Sequence, residues 1–188
     1  PVNISRIALV DFTNDGVGVS LEVCKAMFDQ YYDLIKQGQT EEAKRYLLYG
    51  VRLDTSSSLR DVSVLPLGDP GLDLGVNPRL VFNTRQALDS AYLDWDLPEE
   101  AVNMAREYCQ NVKIVVSGGF NVEKITKFEK LQVPADIYAV GSSLFSNYGP
   151  TNTDFTADVV RVKVHDEWID MAKVGRAAVD NPDLVRVW

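Results

Sequence analysis

The chain reads as an α/β fold organised around a parallel sheet. Two observations carry this expectation. Short β-branched apolar runs alternate with helical patterns up to Val140, and each run is followed by polar or glycine-containing turn residues. That alternation is the signature of βαβ units.

The first run is Ile7-Ala8-Leu9-Val10, too short for a stable helix. Next, Val17, Leu21, Cys24, Phe28, Tyr31 and Ile35 recur at helical spacing and share one face. A short helix is expected from Thr40 to Leu48, with Thr40 as N-cap and Glu41 and Glu42 in its first turn. Gly50-Val51-Arg52-Leu53 is the second strand. Thr55 to Asn77 is long for a simple connection and reads as a functional loop or lid. Asn77-Pro78 then supplies an N-cap and first helical residue, with Val81, Thr84, Leu88, Ala91 and Tyr92 facing inward. Pro98-Glu99-Glu100 opens a helix carrying Met104, Ala105 and Tyr108. The third strand is Val112 to Val116, followed by a helix from Asn121 to Lys130 with Val122, Ile125 and Phe128 inward. Ile137 to Val140 is the fourth strand. In the tail, Ala157–Val164 and Glu167–Met171 flank His165-Asp166 as a β-hairpin. These strands suit either an open sheet or half of an α/β barrel, and periodicity does not choose between them.

Composition narrows the function classes. The chain has 188 residues, 46% apolar and 24% charged, with a net charge of −8. This is the profile of a globular chain without the basic surface of a nucleic-acid binder. No apolar run approaches the roughly 18 residues of a membrane span and no signal peptide is evident, so the cytoplasm is the expected compartment. Cys24 and Cys109 lack metal-ligand spacing, and the single histidine, His165, rules out His-rich metal sets. The chain begins with Pro1 rather than Met.

Ligands of parallel α/β sheets bind beyond the carboxyl ends of the strands. There the sequence offers Asp11, then Asp54-Thr55, then Ser117-Gly118-Gly119, then Gly141-Ser142-Ser143. Paired glycines opening a helix let backbone N–H groups approach an anion. Arg52 and Asp54 flank Leu53, so a strand points both to one side, as a ligand-gripping couple or as a mutual ion pair. Asp11 suits a turn residue as well as a ligand. Lys173-Val174-Gly175-Arg176 brings two cations around a glycine, matched to diphosphate or to a solvated surface.

At these positions the sequence resembles the nicotinate phosphoribosyltransferase family. The stretches are Ile7–Asp11, Gly50–Thr55, Val115–Phe120 with Glu123-Lys124-Ile125, Val140-Gly141-Ser142, Asp154–Val160 and Lys173–Arg176, in the family's order and across nearly the whole chain. The resemblance implies the type II phosphoribosyltransferase fold, a TIM-like α/β barrel with an accessory domain. Residues 1–156 would form half of that barrel, and 157–188 a β-hairpin and tail of the accessory domain. It implies transfer of a phosphoribosyl group from 5-phosphoribosyl pyrophosphate to nicotinate, coupled to ATP, with Mg2+ on the leaving group. Asp54 would bind ribose hydroxyls, Arg52 would lie near the pyridine or diphosphate, and Ser117, Gly118, Gly119, Gly141 and Ser142 would hold the 5′-phosphate. The family's phospho-accepting histidine and its arginine-bearing motif have no counterpart here. The chain is therefore expected to be the C-terminal part of the enzyme, needing its N-terminal part and a homo-oligomeric partner. Other expectations are a relative that uses quinolinate or nicotinamide, and a non-catalytic phosphate- or nucleotide-binding module. An aldolase or isomerase barrel ranks last, because no lysine or glutamate closes a strand.

Overall fold

The computed structural model describes residues 4–144 and 159–174. Four parallel strands form the main sheet in the order β1 (Arg6–Leu9), β2 (Leu48–Leu53), β3 (Lys113–Val116) and β4 (Ile137–Tyr138). The helices are α1 (Gly16–Lys36), α2 (Thr40–Ala43), α3 (Pro70–Asp73), α4 (Pro78–Ser90), α5 (Glu99–Asn111) and α6 (Val122–Lys130). A separate antiparallel hairpin pairs β5 (Arg161–Val164) with β6 (Glu167–Asp170).

Register explains why one face of the sheet is dry. Ala8, Val51 and Ile114 stand side by side, with Leu53 and Val116 on the same face. They pack into one core with Cys24 and Phe28 of α1, Leu80, Val81 and Leu88 of α4, and Ala105 and Tyr108 of α5. Burying each Val, Leu, Ile or Phe side chain of this core contributes about 1.5–3 kcal/mol relative to exposure. The other face carries the row Leu9, Arg52, Val115. There Ile7 and Leu9 stay 45% and 49% exposed, although their sequence is that of a strand buried on both sides. Parallel pairing and the alternation of strands with helices are as expected. Barrel closure is not seen among the described residues.

Local chemistry sets the element ends. Asp15 caps α1 by accepting the Gly18 N–H at 2.8 Å, and the buried Asp61 carboxylate accepts the Gly16 N–H at 2.8 Å. Asn77 caps α4 by accepting the Leu80 N–H at 3.0 Å, as its sequence position implies. Other expectations need correction. Thr40 is the first residue of α2 rather than its cap, and this helix gives way to a 3₁₀ turn at Lys44–Tyr46, because β2 already begins at Leu48. Val122 is 83% exposed: α6 turns Phe128 into the core instead, where it meets Phe120 and Tyr138 edge-on. Strand β4 stops at Tyr138, short of Val140.

The 55–77 segment is anchored at several points, not a bare flap. Asp61 accepts the Ser63 N–H and hydroxyl, and the Arg60 guanidinium donates to the Val64 carbonyl. Asp73 accepts the N–H groups of Leu67 and Gly68 and pairs with Arg79 at 2.8 Å. These backbone bonds, together with Arg79, hold the Asp73 carboxyl below its ordinary pKa against the cost of burial. No helix among the described residues is long and apolar enough to cross a membrane.

Candidate functional site

The carboxyl ends of β1, β2 and β3 converge on a small charged cluster. The ladder runs past the strand ends, with Val10 N–H donating to the Arg52 carbonyl at 3.2 Å and Ser117 N–H to the Leu53 carbonyl at 2.9 Å. Asp11, Asp54 and Ser117 are thereby set at one level of three adjacent strands.

Asp54 is tied in from two sides. The Ser117 hydroxyl donates to its Oδ1 at 2.8 Å, and the Arg52 guanidinium lies 3.3 Å from its Oδ2. Arg52 Nε donates to the Ser117 hydroxyl oxygen at 3.1 Å, closing a three-residue ring. Arg52 and Asp54 therefore share a side, as their spacing implies, and their ion pair is solvent-facing. Such a pair adds little stability by itself. It presents a carboxylate and a guanidinium to whatever lies above the strand ends.

Lys173 completes the cluster from the far end of the chain. Its ammonium lies 2.5 Å from Asp11 Oδ2, donates to the Asp54 carbonyl at 2.9 Å, and stands 3.9 Å from Asp54 Oδ2. The adjoining Val174 N–H donates to the Phe12 carbonyl at 2.9 Å, so the segment after the hairpin is bonded to the turn after β1. Asp11 is only 2% exposed, and burial pushes its carboxyl above the ordinary range. The Lys173 bond and charge oppose that rise, while the nearby Asp54 charge adds to it. Asp11 Oδ1 has no hydrogen-bond partner among the described residues, and neither has the hydroxyl of buried Thr55. Asp11 is therefore more than a turn residue.

The glycine turn stands beside this cluster. Gly118 and Gly119 have φ of +88° and +71°, the left-handed region that side chains disfavour. A Cβ on Gly118 would lie 3.5 Å from Asp54 Oδ1, whereas one on Gly119 would meet nothing within 4 Å. The turn leads into α6, which Asn121 caps by accepting the Lys124 N–H at 2.8 Å. The Lys124 ammonium folds back to donate to the Gly118 carbonyl at 3.1 Å and lies 4.2 Å from the centre of the Phe120 ring. Burial, and then the charge of Lys127, lowers its pKa. Lys124 is a cation at the turn that composition and strand-end reasoning missed; its signal was a lysine in the first turn of the helix behind the glycine pair.

The structure brings Asp11, Arg52, Asp54, Ser117, Gly118 and Lys173 together, with Gly119 adjoining. Gly141 is exposed beyond β4 and opens a 3₁₀ turn at Ser142–Leu144. Ser143 Oγ donates to the Phe120 carbonyl at 2.9 Å, which joins that turn to the glycine turn. The expected role of Ser142 rests on a side chain outside the described set, and Arg176 lies outside the described residues. His165 is exposed in the hairpin turn, where it and Asp166 take φ of +47° and +68°, as a primed two-residue turn requires.

The carboxylates do not make a seat for a resident Mg2+. No group of three His, Cys, Asp or Glu side chains is placed to hold a metal among the described residues, and Lys173 stands against both Asp11 and Asp54. A cavity of about 530 Å³ opens at the opposite, amino-terminal edge, lined by Tyr31, Leu48, Tyr49, Tyr108 and Lys113. It holds no paired carboxylates and no glycine turn. No protein family, curated protein or solved structure matches the chain.

Proposed function

We propose that this chain carries the phosphoribosyl-binding part of a nicotinate phosphoribosyltransferase. One observation supports the reading above the others. The Asp54 carboxylate, fixed by Ser117 and Arg52, stands 3.5 Å from the Cβ position of Gly118, at the mouth of a left-handed glycine turn that opens a capped helix. A hydroxyl-binding carboxylate beside an amide-rich anion cradle matches the two ends of a ribose 5-phosphate.

In this reading the N–H groups of the Gly118-Gly119 turn and the N-terminus of α6 take the 5′-phosphate, with the Gly141-Ser142 turn next to them. Asp54 accepts from the ribose hydroxyls. The nicotinate nitrogen forms a bond to the anomeric carbon as the bond from that carbon to diphosphate breaks. Positive charge rises on the ribose ring, and a fixed carboxylate beneath it stabilises that charge without reorganising. Arg52, exposed beside Asp54, faces the departing anion or the pyridine carboxylate. Any Mg2+ would arrive with the diphosphate of the substrate. ATP coupling would fall to residues beyond this chain. The half-exposed Ile7 and Leu9 would be covered by the remaining strands of a barrel, contributed by the N-terminal part of a cytoplasmic, homo-oligomeric enzyme.

A second reading has its own support. Lys173 already pairs with Asp11 and reaches Asp54, which supports a cationic strand-end site that binds phosphate or a nucleotide without turnover. Titration calorimetry with nicotinate mononucleotide and, separately, inorganic phosphate distinguishes the two. The phosphoribosyl reading expects the mononucleotide to bind at least tenfold tighter than phosphate. Equal affinities would favour the bare phosphate module, and absence of heat from both would remove the cradle. Turnover of nicotinate and 5-phosphoribosyl pyrophosphate by this polypeptide alone at a full enzyme's rate would overturn its reading as a partial enzyme.

A further inference from the structure

Cys24 and Cys109 take no part in the strand-end cluster, yet they meet. They stand 85 positions apart in sequence, one on α1 and the other on α5, and their Sγ atoms lie 3.9 Å apart. Both are free thiols with no exposed surface. A disulfide has an S–S length of ~2.05 Å, so closure takes about 1.9 Å of approach.

The pair is also polarised. The Cys24 thiol is held up by its hydrogen bond to Cys109 and by burial. Cys109 is drawn down by receiving that hydrogen, against the opposing cost of burial, and the charge of Arg85 favours it further. Arg85 donates to the Cys109 carbonyl at 3.1 Å and to the Val112 carbonyl at 2.7 Å, and pairs with Asp89 at 2.7 Å; its buried Nε has no hydrogen-bond partner among the described residues. A guanidinium bonded to the Cys109 backbone adds positive charge that favours the thiolate form of Cys109.

We propose that Cys24 and Cys109 form a redox-active dithiol that peroxide closes into a disulfide between α1 and α5. The Cys109 thiolate attacks one peroxide oxygen, forming an S–O bond as the O–O bond breaks, and hydroxide leaves to take up a proton as water. The Cys24 sulfur then attacks the Cys109 sulfenic sulfur. The S–S bond forms, the S–O bond breaks, and the Cys24 proton leaves with the hydroxyl as a second water. Two thiols lose two electrons and hydrogen peroxide gains them. Because the thiols are enclosed, the oxidant must be as small as peroxide.

The test treats the whole chain with hydrogen peroxide, denatures it, alkylates free thiols and digests it with trypsin. The expected result is a linked peptide joining residues 7–25 to 107–113, abolished by a dithiol reductant added before alkylation. The same oxidised chain is expected to melt several degrees higher than the reduced one, since the link closes a long loop. Recovery of both peptides alkylated, or of Cys109 as a sulfinic acid with Cys24 free, would overturn the proposal. In Cys24→Ala treated with hydrogen peroxide, Cys109 is expected to stop at a sulfenic acid, captured by dimedone added together with the denaturant. Recovery of Cys109 only as a free thiol from that variant would equally count against the dithiol.

Discussion

The Lys173 ammonium lies 2.5 Å from the Asp11 carboxylate, joining the turn after β1 to the segment that follows the C-terminal hairpin. This ion pair and the adjoining Val174–Phe12 backbone bond are the longest-range ties at the strand ends among the described residues, and Asp11 is enclosed enough that its charge depends on Lys173. Losing one partner of a buried pair costs about 3–5 kcal/mol when the remaining charge cannot reach water. Lys173 is partly exposed, so Lys173→Met is expected to cost about 2–3 kcal/mol in urea unfolding at neutral pH. Adding Asp11→Asn to that variant is expected to restore most of the loss. A double variant no more stable than Lys173→Met would show that the pair is not coupled.

Asp11 also sets a pH dependence. Its folded pKa lies above the ordinary value of 3.8, chiefly because burial disfavours the charged form. Between 3.8 and that raised value the folded chain holds more protons than the unfolded chain. The contribution of Asp11 to stability therefore falls as pH rises through this window, then levels off. Asp11→Asn is expected to gain stability relative to the parent chain as pH rises from below 3.8 towards neutrality. A constant difference across that series would contradict the sign.

The glycine turn separates a steric block from backbone strain. Gly119→Ala would put its methyl into open space, and the left-handed φ of +71° would cost about 1–2 kcal/mol. Its expected effect on binding of ribose 5-phosphate is a tenfold loss or more, with the fold retained by circular dichroism. Gly118→Val is expected to abolish binding, because its side chain would also crowd Asp54 and the Thr55 carbonyl. Wild-type affinity in Gly119→Ala would mean that the cradle lies elsewhere.

Asp54→Asn keeps the shape of the side chain and replaces an acceptor oxygen by a donor. The Ser117 bond survives if the amide oxygen faces it, so stability should change by less than about 1 kcal/mol. Affinity for a ribose phosphate is expected to fall tenfold or more, while affinity for inorganic phosphate stays unchanged. Equal losses for both ligands would assign Asp54 to support of the turn rather than to the ribose.

Much of this architecture was legible in the chain. Period and punctuation marked β1 to β3 and the long helices, and Asn77-Pro78 marked the start of α4, because each signal is local. Alternation alone placed Arg52 and Asp54 on one side of β2, while leaving open whether they pair with each other or grip a ligand. The tie between Lys173 and Asp11 was not legible, since nothing local says that a lysine after the hairpin reaches the first strand. The return of Lys124 to Gly118 was likewise hidden in the helix that follows the turn. Val122 misled because an apolar residue in the first turn of α6 fits the helical period yet precedes the point where the helix meets the core. The contact between Cys24 and Cys109 depends on how α1 crosses α5, which periodicity leaves open.

The most direct test of the strand-end site is an amide NMR titration of the chain with ribose 5-phosphate. Saturable shifts are expected, centred on Ser117, Gly118 and Gly119, extending to Asp54 and weakened by Gly119→Ala. Shifts confined to the amino-terminal cavity around Tyr31, Leu48 and Tyr108, or no saturable shifts, would contradict that site.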